Sequence, residues 1–159
     1  MADITADLHP GCESLAFLLG TWAGRGAGEY PTIEPFSYNE TVTFGHVGKP
    51  FLSYNQKSKD ASSGQPLHAE VGYLRAVGDQ RVELVVVQPS GILEVHTGTV
   101  DGTSLEMTCE AVHTTPTALS VTDVVRRISV VDDALTYTVA MAAVGVPLTH
   151  HLAATLQHQ

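Results

Sequence analysis

Basic residues are scarce in this chain, and their scarcity excludes whole classes of partner. Eight Lys and Arg residues stand against 17 Asp and Glu residues, which gives a formal net charge of −9. Eight cations are too few to neutralise a phosphate backbone or an anionic lipid surface. Neither nucleic acid nor a membrane is therefore expected as a partner. No apolar run approaches the length of a membrane-spanning helix.

Cysteine is also rare. The chain contains only Cys12 and Cys109, without a Cys-x-x-Cys spacing, which excludes a zinc knuckle and a thioredoxin-type redox motif. Two free thiols are typical of a reducing compartment. Residues 1–10 lack the basic start and the apolar stretch of a signal peptide. We therefore expect a cytoplasmic protein.

Familiar catalytic signatures are missing as well. Ser90 stands in Pro-Ser-Gly and not in the Gly-x-Ser-x-Gly elbow of serine hydrolases. The chain has neither a P-loop nor a dinucleotide-binding fingerprint. The glycine-rich run 24–28 opens no helix that could hold a phosphate. Hydrolase and nucleotide chemistry are therefore not expected.

What the chain does have is a long alternation of apolar and polar residues. A short helix is predicted at 12–19, and the runs that follow alternate with the period of two that is typical of strands. Turn signals such as Gly78-Asp79 separate neighbouring runs by a few residues, so the strands are antiparallel. The predicted strands are 21–29, 36–44, 51–57, 67–75, 81–88, 91–100, 104–112, 119–131, 134–143 and 148–157.

This series predicts an all-β fold, a ten-stranded antiparallel up-and-down β-barrel with a short N-terminal helix. Closing the sheet on itself removes its exposed edges. We expect one domain spanning 1–159, with residues 1–8 loosely held. A barrel of ten strands is wider than one of eight and needs a filling, which a cofactor can supply.

The first predicted strand carries glycines at alternate positions around one large side chain. Gly20, Trp22, Gly24 and Gly26 form a Gly-x-Trp-x-Gly-x-Gly motif. Glycine weakens a strand, so these positions indicate bending and close backbone approach at a barrel seam. We expect Trp22 to plug one end of the barrel.

Eight histidines are present, and two adjacent ones lie in the last predicted strand. His150 and His151 must face opposite sides of the sheet, so one of them points into the barrel. A rule that apolar faces point inward favours His150, which shares a face with Leu152 and Leu156. A rule that a planar cofactor needs small neighbours favours His151, which shares a face with Ala153. Alternation leaves both open.

The same histidines limit the kind of metal site that the chain could build. A zinc site needs three or four converging ligands, and no such spacing is recognisable. A haem needs only one axial imidazole and an apolar slot. The sequence therefore favours haem over zinc.

Several motifs, in order along the chain, resemble those of the nitrobindin family of haem-binding β-barrels. The resemblance covers roughly residues 12–157, and its order along the chain makes it more specific than the first motif alone. The motifs are GTWAGRG (20–26), GEYPTI (28–33), HVGKPFL (46–52), HAEVGYLR (68–75), QPSG (88–91) and HLAATL (151–156).

The resemblance implies a barrel that holds one ferric haem b per chain in its mouth, with His151 as the axial ligand of the iron. It also implies pocket positions at Leu67, His68, Gln88 and Met141, with His68 as a helper that hydrogen-bonds an anion at the iron. The implied activity is isomerisation of peroxynitrite to nitrate, together with binding of nitric oxide.

At one place the chain departs from the pattern of the family. The resemblance implies a basic residue, present in many members of the family, just before the strand that begins near Val121, whereas this chain has Leu119 there. A salt bridge from that position to a haem propionate is therefore not expected here.

Other functions remain open at this stage. A non-catalytic carrier of a lipid or other hydrophobic ligand has a similar shape, but residues 29–36 are too few for the two-helix lid of intracellular lipid carriers. A lipocalin predicts secretion, a disulfide and a C-terminal helix. A haem or nitric oxide sensor cannot be separated from an isomerase by sequence. A homodimer also remains open.

Overall fold

Ten antiparallel strands close into a barrel in the computed structural model, which describes residues 6–159. Each strand pairs with its neighbour in the chain, and the last pairs with the first, which confirms the predicted up-and-down barrel. The strands are β1 (Gly20–Tyr30), β2 (Ile33–Gly45), β3 (Phe51–Asp60), β4 (Pro66–Ala76), β5 (Arg81–Gln88), β6 (Ile92–Asp101), β7 (Ser104–Thr114), β8 (Val121–Val131), β9 (Ala134–Ala143) and β10 (Val146–His158).

Most strands differ from their predicted bounds by one to three residues, and the difference at β8 has a clear cause. Strand β8 begins at Val121 and not at Leu119, because a turn in which the Ala118 amide donates to the Thr115 carbonyl precedes the strand. Leu119 is therefore an exposed residue of the connection, with 71% of its surface accessible. The expectation of a loosely held N-terminus falls partly on residues 1–5, which lie outside the described residues. Leu8 packs against the core.

One end of the barrel is closed by a 3₁₀ helix, Pro10–Leu18, which starts two residues before the predicted helix. Pro10 occupies the first helical position, where no amide hydrogen is needed, and His9 Nδ1 accepts from the Gly11 amide at 3.0 Å. Leu15 and Leu18 are fully buried against the barrel. No helix within residues 6–159 combines the length and the apolar character that crossing a membrane requires.

Trp22 lies beneath this helix and ties it to β1. Its indole Nε1 donates to the Leu18 carbonyl at 2.8 Å, and 2% of the residue is exposed. The glycines that follow solve a packing problem at the seam. A Cβ at Gly24 would lie 2.3 Å from the Thr155 carbonyl oxygen of β10, and one at Gly26 would lie 2.3 Å from the Tyr38 ring of β2. Both are far closer than atoms can approach, so these positions require glycine.

The interior is arranged in three layers along the barrel axis. The closed end is apolar, the middle is polar and charged, and the open end is lined mainly by apolar side chains. The closed end includes Leu15, Leu18, Trp22, Phe44, Leu52, Leu74, Leu105, Leu135 and Leu156. The middle layer includes Tyr38, Glu40, Gln56, Glu70, Glu94, His96, Arg126 and Tyr137.

Candidate cofactor site at the open end of the barrel

A cavity of about 370 Å³ opens at the end of the barrel opposite the 3₁₀ helix. The turn between β1 and β2 consists of Pro31 and Thr32 alone, so no lid is built there. The apolar residues of the cavity mouth are Ile33, Phe36, Leu67, Ile92, Val121, Met141 and Leu152. All five residues expected in the pocket, Leu67, His68, Gln88, Met141 and His151, line this cavity together.

A β-bulge in β10 decides which of the two adjacent histidines faces the cavity. In the pairing with β9, His150 lies opposite Ala140 and Leu152 lies opposite Val139, so His151 is one residue too many for the ladder. His151 and Leu152 consequently both line the cavity, whereas His150 lines a surface groove outside the barrel. The apolar-inward rule is therefore right about Leu152 and Leu156 and wrong about His150, whereas the small-neighbour rule is right about His151 and wrong about Ala153.

The His151 ring is held in one tautomer by the backbone. Its Nδ1 lies 3.0 Å from the Glu29 carbonyl oxygen. A carbonyl can only accept, so Nδ1 carries the hydrogen and Nε2 keeps a free lone pair. Burial lowers the pKa of His151, which favours the neutral form that binds a metal.

Tyr30 supports this histidine from the neighbouring strand. The two ring centroids are 5.3 Å apart with an interplanar angle of 70°. The Tyr30 hydroxyl donates to the Met141 carbonyl at 3.0 Å and accepts from the Ala143 amide at 3.0 Å. The aromatic wall beside the imidazole is therefore fixed to β9 as well as to β1. In the sequence Tyr30 stands out only as part of the GEYPTI motif, which does not indicate its role.

Donor chemistry at this site fits a haem better than a multi-ligand metal ion. Among residues 6–159, no group of three or more His, Cys, Asp or Glu side chains is arranged to hold an ion. A single neutral imidazole with a free Nε2 beside an apolar opening is the donor set that haem requires. His151 would hold the iron, and Leu67 and Met141 would contact the ring system.

Below the mouth lies a buried ion cluster that sequence analysis missed. Arg126 Nη2 contacts Glu70 Oε1 at 2.8 Å and Glu94 Oε1 at 2.9 Å, and its Nη1 contacts Glu70 Oε2 at 3.0 Å. Burial by itself would raise the pKa of both carboxyls, but the guanidinium beside them holds the pKa of each below its usual range. We call Glu70, Glu94 and Arg126 the ion cluster.

The ion cluster extends to the mouth through His68. His68 Nε2 lies 3.2 Å from Glu70 Oε1, so the imidazole is anchored from below. Gln88 Nε2 donates to Glu70 Oε1 at 3.2 Å and also bonds Glu94 Oε2. On the far side, the fully buried His96 bonds Glu94 Oε1 through Nε2 at 2.8 Å.

The strand pattern contained a signal for these interior charges. Glu40 stands between Tyr38 and Val42, and all three are buried on the same face of β2. Arg126 stands in the same way two residues after Val124, which is also buried. An ionisable residue on the inward face of an alternating strand predicts a buried charge that needs a partner.

Together, the closed barrel and its mouth define the class of a β-barrel with an internal cofactor-sized cavity and one histidine oriented at its opening. The family model for the THAP4-like, heme-binding β-barrel domain matches residues 11–158. The chain therefore belongs to this haem-binding β-barrel family, which confirms the resemblance to nitrobindins.

The most informative relatives span nearly the whole chain. This chain is 54% identical to peroxynitrite isomerase 2 of Mycobacterium ulcerans (strain Agy99). The match extends over 158 residues and covers 97% of this chain and 98% of the relative. The chain is 48% identical over 163 residues to peroxynitrite isomerase 1 of Mycobacterium tuberculosis (strain ATCC 25618 / H37Rv), covering 98% and 99% respectively. The crystal structure of Rv2717c from M. tuberculosis superimposes with a TM-score of 0.91 at 48% identity, covering 96% of this chain and 99% of that one.

Proposed function

We propose that this chain binds one haem b through His151 and isomerises peroxynitrite to nitrate. The observation that carries the proposal is the free Nε2 of His151 at the cavity, with Nδ1 committed to the Glu29 carbonyl. The relatives named peroxynitrite isomerase support the reaction. When bound, ferric haem supplies a Lewis-acid centre with one face open to a small anion or to nitric oxide.

The residues of the chain would position the haem and control which molecules reach it. The Glu29 carbonyl and the Tyr30 ring fix the orientation of His151. The apolar residues of the mouth exclude water from the side of the cavity where the ring system would lie. His68 presents an imidazole at the same mouth. Its Nε2 donates to the Glu70 carboxylate, so Nδ1 can donate to an anionic ligand only when both ring nitrogens carry a hydrogen.

Haem-dependent catalysis is tested by comparing the chain with and without haem. Adding haemin should produce a Soret band, and stopped-flow decay of peroxynitrite should accelerate with the haem-loaded protein and not with the haem-free protein. Nitrate should replace the products of spontaneous decay. Equal decay in both forms would leave a haem-binding protein without the isomerase activity. Sacrificial scavenging by tyrosines or cysteines would protect free tyrosine from nitration without accelerating decay.

Replacing His68 by leucine should slow peroxynitrite decay by about tenfold while haem stays bound, because the hydrogen bond that the ring would donate from Nδ1 to a charged ligand, with both of its nitrogens protonated, is lost. His68 tunes the reaction, since the metal centre carries the main charge stabilisation. The Soret absorbance of His68→Leu should match that of the original chain. A complete loss of activity with haem still bound would instead make His68 an essential acid–base group.

Among the alternatives, the middle layer disfavours a lipid carrier. An alkyl chain entering the mouth would have to pass the ion cluster and Glu40 before it reached the apolar closed end, and burying charge against hydrocarbon is costly. A haem or nitric oxide sensor differs from an isomerase only in turnover, which the stopped-flow comparison measures. Cytoplasmic location stays a prediction, which cell fractionation would test. A homodimer also stays a prediction, which light scattering of the purified protein would test.

A further inference from the structure

Two buried side chains and one that is partly buried form a hydrogen-bonded chain that the proposed isomerisation does not use. The hydroxyls of Tyr38 and Tyr137 are 2.7 Å apart, and the Tyr137 hydroxyl donates to Glu40 Oε2 at 2.7 Å. Because Tyr137 gives its hydrogen to Glu40, Tyr38 must be the donor between the two phenols. All three line the same cavity as His151. We call Tyr38 and Tyr137 the tyrosine pair.

Neither phenol of the tyrosine pair can react as a phenolate. Burial raises the pKa of Tyr38 to about 12. Burial and the nearby Glu40 raise the pKa of Tyr137 well above its usual value. A phenol that keeps its proton loses an electron readily only if the proton leaves at the same time. A base within hydrogen-bond distance is therefore the feature that decides whether such a phenol can be oxidised.

Glu40 has the properties of that base. Its Oε2 accepts from Tyr137 and also from Gln56 Nε2 at 2.8 Å, which marks this oxygen as an acceptor. The Arg126 cation is bonded to Glu70 and Glu94 instead. Burial, together with the charge of Glu70, raises the pKa of Glu40, so gaining a proton is favourable there.

We propose that the tyrosine pair is a one-electron donor to radicals formed in this cavity, with Glu40 as the proton acceptor. The radical is nitrogen dioxide, which is released when the O–O bond of peroxynitrite breaks homolytically. The inference rests on the proposed function only in taking peroxynitrite as the source of this radical. The Tyr137 O–H bond breaks, its electron reduces nitrogen dioxide to nitrite, and its proton passes to Glu40 Oε2. Tyr38 can then pass a hydrogen atom to the Tyr137 phenoxyl radical, so the two share the unpaired electron.

Another partly buried tyrosine provides a matched comparison. Tyr54 donates to Glu70 Oε2 at 2.9 Å, which is nearly the geometry of Tyr137 and Glu40. Arg126 holds the pKa of Glu70 below its usual range, so this carboxylate is a poor proton acceptor. Tyr73 lies outside the barrel beside Phe51 and is 54% exposed. The geometry points to oxidation at Tyr137 and Tyr38, and not at Tyr54 or Tyr73.

The inference can be tested without peroxynitrite. Pulse radiolysis of nitrite generates nitrogen dioxide, to which the haem-loaded protein is exposed. Rapid-freeze electron paramagnetic resonance should show a tyrosyl radical that narrows when the tyrosine rings are deuterated. Tyr137→Phe and Glu40→Gln should each lose most of this signal, whereas Tyr54→Phe and Tyr73→Phe should keep it. Each variant is first checked for the Soret band, which reports the folded, loaded barrel.

A second readout needs no variant. Recombination of the phenoxyl radical with a second nitrogen dioxide gives 3-nitrotyrosine, so peptide mass spectrometry should find nitration at Tyr38 or Tyr137 in excess of the exposed Tyr73. Nitration confined to Tyr73, or a radical signal unchanged in Tyr137→Phe, overturns the inference. A radical at the tyrosine pair in a protein that does not accelerate peroxynitrite decay would overturn the isomerase proposal alone.

Discussion

Replacing His151 by alanine is expected to abolish haem binding. The side chain supplies a free imidazole Nε2 at the apolar mouth, because the backbone fixes the ring by binding Nδ1 at the Glu29 carbonyl. Loss of the proposed iron ligand would remove the metal–ligand bond outright, and apolar contact at Leu67 and Met141 would not replace it. Titration with haemin, followed at the Soret band, measures the effect, and peroxynitrite turnover should vanish with it.

His150→Ala is the matched control for this experiment. The two residues are adjacent in β10, but His150 lies in the surface groove near Arg25 and Ser37. Its replacement should leave both the Soret band and turnover nearly unchanged. If the two variants behaved in the opposite way, the register of β10 around the bulge would be shifted by one residue.

Replacing Arg126 by alanine is expected to lower the free energy of unfolding by about 3–5 kcal/mol, the usual cost of leaving buried partner charges uncompensated. Glu70 and Glu94 would both lose their cation while remaining inside the barrel. Urea unfolding at neutral pH, followed by tryptophan fluorescence of Trp22, measures the change. His68 would lose its fixed anchor as well, since Glu70 positions its imidazole.

Arg127→Ala provides the control one residue away. Arg127 pairs with Glu106 on the outer surface at 3.0 Å, and the two side chains are 58% and 56% exposed. An exposed pair contributes less than about 1 kcal/mol, so this variant should unfold close to the original chain. Equal destabilisation by both changes would mean that the ion cluster contributes no more than a surface salt bridge.

The loss at Arg126 should depend on pH in a definite direction. The pKa values of Glu70 and Glu94 are lowered in the folded barrel, so their stabilisation is present above the ordinary glutamate pKa of about 4.3 and is lost as the pH falls below it. In Arg126→Ala the cation no longer stabilises the ionised carboxylates. Protonating them in acid therefore removes the uncompensated buried charge that destabilises the variant. The difference in unfolding free energy should therefore be largest at neutral pH and should narrow in acid. A difference that widened in acid would contradict this account.

The barrel itself was accessible from sequence because alternation and turn signals are local. Each strand could be assigned from its own residues, and a long antiparallel series has few ways to avoid exposed edges. The ion cluster was not accessible in this way. Glu70 and Arg126 are separated by 56 residues, and no local pattern reports which inward charge will meet which. Leu119 was placed in a strand because its apolar side chain continues the run of β8, although the turn before Val121 excludes it.

The pocket residues were predicted by resemblance to the family. Alternation alone could not decide between His150 and His151, and the structure shows the physical reason. Period two assumes that every residue of a strand has a partner in the ladder. The bulge breaks that assumption between His150 and Leu152. No residue type in this stretch is reserved for bulges, so the extra residue is invisible until the strands are paired.

The bulge in β10 also makes the barrel and its chemistry separately adjustable. Leu152 and Leu156 keep the inward alternation that the core needs, and His151 stands outside that alternation. Selection can therefore exchange the side chain at 151 without opening a hole in the core, and can vary the core without moving the ligand. A scaffold of this kind can acquire, lose or replace its cofactor while its fold stays intact, and a thiolate or phenolate ligand at 151 would be a direct way to build new chemistry on it.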